Sequence, residues 1–216
     1  MTMPAVASPE EWEAARARLL VTEKAATHAL DALAAERRRL PMVRWRDDYV
    51  FEGPDGPVSL LDLFAGRRQL LVYQFMDNGP DDVCPGCTSM TDNTDVPLVR
   101  ERLAAAETTH VTVSNMPMAQ ITEVWKQHGW SIPAFSSRGT TFSADCGAGQ
   151  YFGLTVFLRD DDQIFRTYFT AGRGVDHLLL HYTLLDLTPL GRQEDWEEQP
   201  DATPRSIPSF TVDPPR

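Results

Sequence analysis

Cysteine is scarce in this chain, with three among 216 residues. That is too few for a disulfide-stapled secreted domain, so a packed core must hold the fold, and a chain of this length can bury one. Long apolar runs are missing too, and none approaches the ~20 residues of a membrane helix. Positive charge is in deficit: 20 Lys and Arg against 31 Asp and Glu leave a net charge of -11. Nucleic acid and anionic membrane surfaces both require a basic face, so neither is an expected partner. The opening MTMPAVASPEEWEAA lacks the basic n-region and apolar h-region of a secretory signal, and the expected location is the cytoplasm. No Gly-rich dinucleotide fingerprint or phosphate loop occurs, so no organic cofactor is implied. Where disulfides do not persist, the few cysteines are better suited to catalysis, redox sensing or metal binding than to a structural role.

What is present concentrates in residues 69–93, QLLVYQFMDNGPDDVCPGCTSMTDN. Leu70, Leu71, Val72, Tyr73, Phe75 and Met76 read as a strand buried on both faces. A loop rich in turn formers (Asn78, Gly79, Pro80) follows, and then Cys84-Pro85-Gly86-Cys87 opens a helix. The free N–H groups and dipole of a helix N-terminus stabilise a thiolate, which makes Cys84 the candidate nucleophile. Cys87, one turn on, can resolve a mixed disulfide. A Cys-x-x-Cys pair also fits half a zinc site or two inert cysteines; the strand-loop-helix setting favours the redox dithiol.

Residues 9–40 read as one helix of roughly 45 Å. Ser8 caps it, Pro9 suits its first position, and Glu10, Glu11 and Glu13 complement its positive end. Trp12, Ala15, Leu19, Ala26, Leu30 and Leu33 share a stripe, Arg37, Arg38 and Arg39 sit at the negative end, and Pro41 stops it. Such a helix wraps the domain or packs against a second subunit, making a homodimer through it one expected assembly. Beyond it we expect a strand over 43–51, a dense turn over 52–57, a short helical turn over 59–64 and the Gln69 strand. A helix over 88–106, interrupted at Pro97, precedes a strand over 110–115, a helix over 118–128 and a short extended piece over 133–136. A hairpin around Asp160-Asp161-Asp162 and a helix over 175–184 complete the expectation. The organisation is then a helical extension (1–40), an α/β domain (41–190) and an acidic, Pro-rich tail (191–216). Strand, Cys-helix, strand, helix, hairpin, helix is the order of a thioredoxin-like mixed sheet flanked by helices, here with a long N-terminal helix added.

The pieces ALAAERRRLPMV, DYVFEGPDGPVSLLDLF, LLVYQFM, CPGC, Gly129-Trp130, RTYFTAGRG and YTLLDLTPLGRQED resemble the bacterial domain of unknown function family 899. That family is classed as thioredoxin-like and predicted to contain dithiol–disulfide oxidoreductases. The resemblance implies a thioredoxin-like fold and a generic redox activity, without a particular substrate; the partners expected from the cysteine pair itself are a disulfide or oxidised-sulfur substrate and a reducing thiol. The cysteine loop also resembles that of peroxiredoxins. Two departures matter. Thioredoxins and most peroxiredoxins open the strand beside the cysteines with a cis-proline; here it reads Tyr151-Phe152-Gly153-Leu154-Thr155, so Gly153 or Thr155 is expected to fill that space. Peroxiredoxins carry a threonine three residues before the reactive cysteine, where this chain has Asp81, followed by Asp82. Two carboxylates beside a thiolate raise its pKa, so Cys84 is expected to be less acidic than a typical catalytic thiol.

The expected activity is thiol–disulfide exchange at Cys84 and Cys87, with Pro85, Gly86, Thr155 and Arg173 as substrate-binding candidates. Arg173 lies between two glycines that permit close backbone approach, where it can support a thiolate or hold an anion. The alternatives are a peroxiredoxin-like peroxide reductase and a non-catalytic or metal-binding module on the same scaffold. His177 and His181 stand at zinc-binding spacing but flank three leucines, which favours a structural reading, and no metal site is expected. Cys146 reads as a small buried hydrophobe, and Trp125 and Trp130 as core or groove aromatics.

Overall fold

The computed structural model describes residues 4–194, 196 and 197. Its first element, α1 (Pro9–Arg37), is capped by Ser8 as expected, and Glu11 completes a reciprocal capping box: Glu11 N–H donates to Ser8 Oγ at 3.2 Å and Ser8 N–H to Glu11 Oε2 at 2.9 Å. None of its residues is buried, so the apolar stripe read from its sequence has no core behind it. The expected 43–51 strand is two strands, β1 (Val43–Arg44) and β2 (Val50–Gly53), at distant places in the sheet. The chain crosses between them through a bend that holds an Arg46–Asp48 ion pair at 2.6 Å. Strand β3 (Gly56–Ser59), which the turn residues obscured, closes a hairpin with β2 through paired Gly53 and Gly56.

After a 3₁₀ turn (Asp62–Phe64) come β4 (Gln69–Phe75), α2 (Pro85–Thr94), α3 (Pro97–Ala105), β5 (Thr108–Ser114), α4 (Met118–His128) and β6 (Ala134–Ser136). Pro97 restarts the helix, as its fixed φ and missing N–H allow at a first position. A short α5 (Phe142–Asp145) leads to the hairpin β7 (Gly153–Asp160) and β8 (Gln163–Thr170). The last expected helix is instead a 3₁₀ segment (Gly172–Leu178) and α6 (Leu180–Leu185). Leu179 between them is extended and sits in the core, while Leu180 N–H donates to Asn93 Oδ1 at 2.8 Å, a tertiary bond that helical periodicity does not foresee. Of the expected tail, residues 195 and 198–216 lie outside the described residues.

The described strands form one sheet in the order β1-β8-β7-β4-β5-β6-β2-β3. Strands β4 and β5 are parallel, with α2 and α3 in the crossover; β7 adds to β4 antiparallel and β8 adds to β7 antiparallel. That arrangement is the thioredoxin-like fold, here extended by strands at both edges and by α1. Side chains alternate across a strand, and β4 thereby feeds two cores. Tyr73 and Phe75 join Cys84, Cys87, Met90, Trp125, Phe152, Val175 and Leu179 on one face. Leu70 and Val72 join Phe51, Phe64, Val111, Phe142, Cys146 and Phe157 on the other. Among the described residues no helix is long and apolar enough to cross a membrane.

One buried group makes the fold acid-sensitive. His110 lies within β5, its Nε2 has no hydrogen-bond partner, and burial pushes its pKa down to about 4 against a weaker upward pull from Asp95. The folded state therefore holds the ring neutral, and its contribution is complete above the unfolded pKa of ~6.5 and lost as pH falls toward 4. Urea denaturation from pH 7 to pH 5 should show a falling midpoint, and His110→Val should flatten that part of the profile.

Candidate active site

The site begins where β4 ends. Loop 76–83 carries the chain to Cys84, which is the N-cap of α2, with Pro85 at the first helical position. An N-cap side chain is placed to accept the free N–H groups of the first turn, and here the acceptor is sulfur: Cys87 N–H donates to Cys84 Sγ at 3.3 Å. The start of α2 is held further by Thr88, whose N–H and Oγ1–H both donate to the Cys84 carbonyl, at 2.9 and 3.0 Å. Cys87 is fully buried, and the Met76 N–H donates to its Sγ at 3.4 Å. Met76 Sδ also touches Cys84 Sγ at 3.8 Å.

The two thiols are driven apart in acidity. Cys84 falls to about 7, chiefly because the Cys87 thiol donates to its thiolate; burial opposes this, and the Cys87 and Gly86 backbone N–H groups add to it. Cys87 is pushed well above its ordinary value by burial and by the neighbouring Cys84 sulfur, with Met76 N–H and the Tyr73 hydroxyl acting weakly in the other direction. Cys84 therefore carries the charge near neutrality while Cys87 keeps its proton. The expectation that Asp81 and Asp82 would leave Cys84 weakly acidic is corrected here. Both aspartates are exposed to water, and the upward pull of Asp82 is outweighed by the hydrogen bonds that lower the Cys84 pKa.

The substrate-binding candidates separate. Pro85 is exposed and Gly86 half-buried beside the thiols. Thr155 is not in this site. It pairs with Val72 and so faces the second core, where its hydroxyl donates to the Gln74 amide oxygen at 2.9 Å. Gly153 has the same parity, and a Cβ there would meet the Phe169 ring at 2.6 Å. The β7 residues on the dithiol face are Leu154, opposite Tyr73, and beside it Phe152 just before the strand. Arg173 is directed elsewhere, 3.3 Å above the Trp196 ring and 3.5 Å from Asp176.

Cys146 is fully buried in the second core, away from the pair, and burial lifts its pKa to about 12. His181 does reach α2, but at Asn93, nine residues or about 14 Å along the helix from Cys84. Among the described residues no three His, Cys, Asp or Glu side chains converge as metal ligands. Trp125 is a core aromatic, and Trp130 is partly buried against that core. Gly129, at φ 69°, turns the chain out of α4 so that Trp130 packs edge-on to Trp125 at 4.9 Å.

Sequence reading missed two participants, Tyr73 and Met76. Both were legible as parts of an apolar strand, but the contact with Cys87 follows from which face of β4 the helix covers. A cleft of about 310 Å³ opens at Met76 and is lined also by Asp77, Asn115, Ser143, Gln150 and Tyr151; neither cysteine lines it, and Met76 is the residue it shares with the thiol contacts.

The family profile described as "Bacterial protein of unknown function (DUF899)" matches residues 1–205. Among solved structures, similarity extends to peroxidoxin BcpB of Mycobacterium tuberculosis, at 16% identity over 65% of this chain and 94% of that chain with a TM-score of 0.46. Peroxiredoxin Q of Xanthomonas campestris matches at 17% identity over 63% and 91%, TM-score 0.41. A secreted Mycobacterium tuberculosis disulfide oxidoreductase homologous to E. coli DsbE matches at 14% over 63% and 96%, TM-score 0.40. No curated protein matches.

Two substitutions separate the faces of β4. Cys87→Ala removes the thiol that donates to Cys84, so the inflection of the Cys84 alkylation rate against pH should move up from about 7 toward the value of a free thiol. Thr155→Val strips the buried Gln74 amide of a partner and should cost about 1–3 kcal/mol in urea denaturation, while leaving that inflection unchanged.

Proposed function

The chain belongs to the bacterial family of unknown function DUF899, and on that footing we propose that it is a thiol–disulfide oxidoreductase working through Cys84 and Cys87. The observation that carries the reading is the asymmetry of the pair: one sulfur caps a helix and is acidic, the other is fully buried and protonated. The Cys84 thiolate attacks one sulfur of a substrate disulfide and forms a mixed disulfide; the S–S bond breaks and the departing thiolate takes a proton from water. Bonding at Cys84 removes its negative charge, which lowers the cost of ionising Cys87. Cys87 then loses its proton and attacks the Cys84 sulfur, releasing the second substrate thiol. Two electrons have passed to the substrate, and a Cys84–Cys87 disulfide remains for an external thiol to reduce.

Pro85 and Gly86 form the rim over which a substrate reaches Cys84, and the cleft at Met76 accommodates its polar groups. A reducing compartment such as the cytoplasm supplies the thiol that resets the pair. Because the fold lowers the Cys84 pKa, the reduced protein gains stability as pH rises from about 7 to about 9 and loses it as pH falls through 7.

The test is oxidation of the reduced protein with a small-molecule disulfide, read by intact mass and peptide mapping. A Cys84–Cys87 disulfide that opens again with excess thiol is expected, as is a trapped mixed disulfide on Cys84 in the Cys87→Ser variant. A protein in which Cys84 stays unmodified, or whose alkylation inflects at the pH of a free thiol, is not an oxidoreductase of this kind. Consumption of hydrogen peroxide with a thiol present, without disulfide exchange, would assign the peroxide-reductase chemistry instead.

A further inference from the structure

Helix α1 is an unusual structure to leave alone in water. It has 29 residues and no buried one, and at 1.5 Å per residue it extends about 43 Å. An isolated helix gains little from its own hydrogen bonds and takes most of its stability from a packed face. A face for packing exists and is bare: Trp12, Leu19, Ala26, Leu30 and Leu33 fall within about 60° of one another at 100° per residue, and Leu30 is 66% and Trp12 57% exposed.

The charges along the helix identify what covers that face. Its first turns carry Glu10, Glu11 and Glu13, while Arg37, Arg38 and Arg39 stand at its end. The two ends are complementary in sign, so the helix matches itself when reversed, and two copies related by a twofold axis satisfy both ends at once. A second feature lies where the reversed partner would end. At the foot of α1 a cleft of about 390 Å³, mostly apolar, is lined by Arg37, Leu40, Met42, Val156, Leu158 and Tyr168.

We propose that α1 pairs with α1 of a second copy of this chain, antiparallel, with the twofold axis near Lys24 and Ala25. In this register Leu19 lies opposite Leu30 of the partner subunit, the two being equidistant from that midpoint. Trp12 arrives opposite Arg37 of the partner subunit, at the mouth of the apolar cleft. Glu13 comes onto the same flank as Arg38 of the partner subunit. The pairing covers the stripe, fills the cleft and neutralises both ends, and does so without touching the dithiol.

Sedimentation velocity of the full chain at micromolar concentration should show a dimer. Leu19→Lys with Leu30→Lys should give a monomer whose domain melts as before, because neither side chain is buried within one chain. Glu13→Arg and Arg38→Glu should each weaken the dimer, and an equimolar mixture of the two should form a heterodimer. Leu19→Cys with Leu30→Cys should cross-link between copies under oxidation, whereas Leu19→Cys alone should not. A monomeric wild-type chain, a mixture of the charge variants that fails to associate, or cross-linking by Leu19→Cys alone (the signature of a parallel pair) would each overturn the arrangement.

Discussion

Strand β4 is buried on both faces and hydrogen-bonded along both edges, to β5 on one side and β7 on the other. A strand in that position cannot slip by one residue without reversing every side chain between two cores. Its register therefore fixes which residues meet the helix that follows. Tyr73 and Phe75 are committed to the face covered by α2, and Val72 and Gln74 to the other. The dithiol, its buried floor and the separation of Cys146 from the pair all follow from this one alternation.

The chemistry of the pair follows from where the strand releases the chain. Loop 76–83 lets α2 begin just past the end of β4, so that Cys84 caps the helix and Cys87 turns inward against Met76 and Tyr73. One sulfur receives N–H and S–H donors that favour its thiolate, while the other is enclosed by apolar neighbours that disfavour charge. Two identical side chains three residues apart thus acquire opposite tendencies, one from donors at the helix start and the other from burial in the core. The aspartates of the loop, although adjacent in sequence, face water and act weakly, because solvent screens exposed charges far more than buried donors.

Elements with a strong local signal were legible in the sequence. The Gln69 strand, the Met118–His128 helix, the restart at Pro97 and the β7–β8 hairpin each depend on apolar period, proline chemistry or turn residues within a few positions. Elements set by distant partners were not. The 43–51 segment looks continuous, but its two halves pair with β8 and with β6 in separate parts of the sheet. The 175–184 segment has helical composition, yet Leu179 leaves the helix to enter the core beside α2. Thr155 illustrates the same limit at the site: its position on a strand beside β4 was readable, but not the parity that turns it from the cysteines.

The sequence by itself determined the identity and spacing of the thiols, the helix start at which Cys84 stands and the α/β order that carries them, because each is encoded by residues close together in the chain. The tertiary structure alone decided which side chains surround them. Tyr73 and Met76 enter the site, Thr155 and Arg173 are directed away from it, and α1 is left without a core. Those outcomes depend on strand pairing and on how much surface remains to cover a helix, quantities that no local stretch of sequence contains.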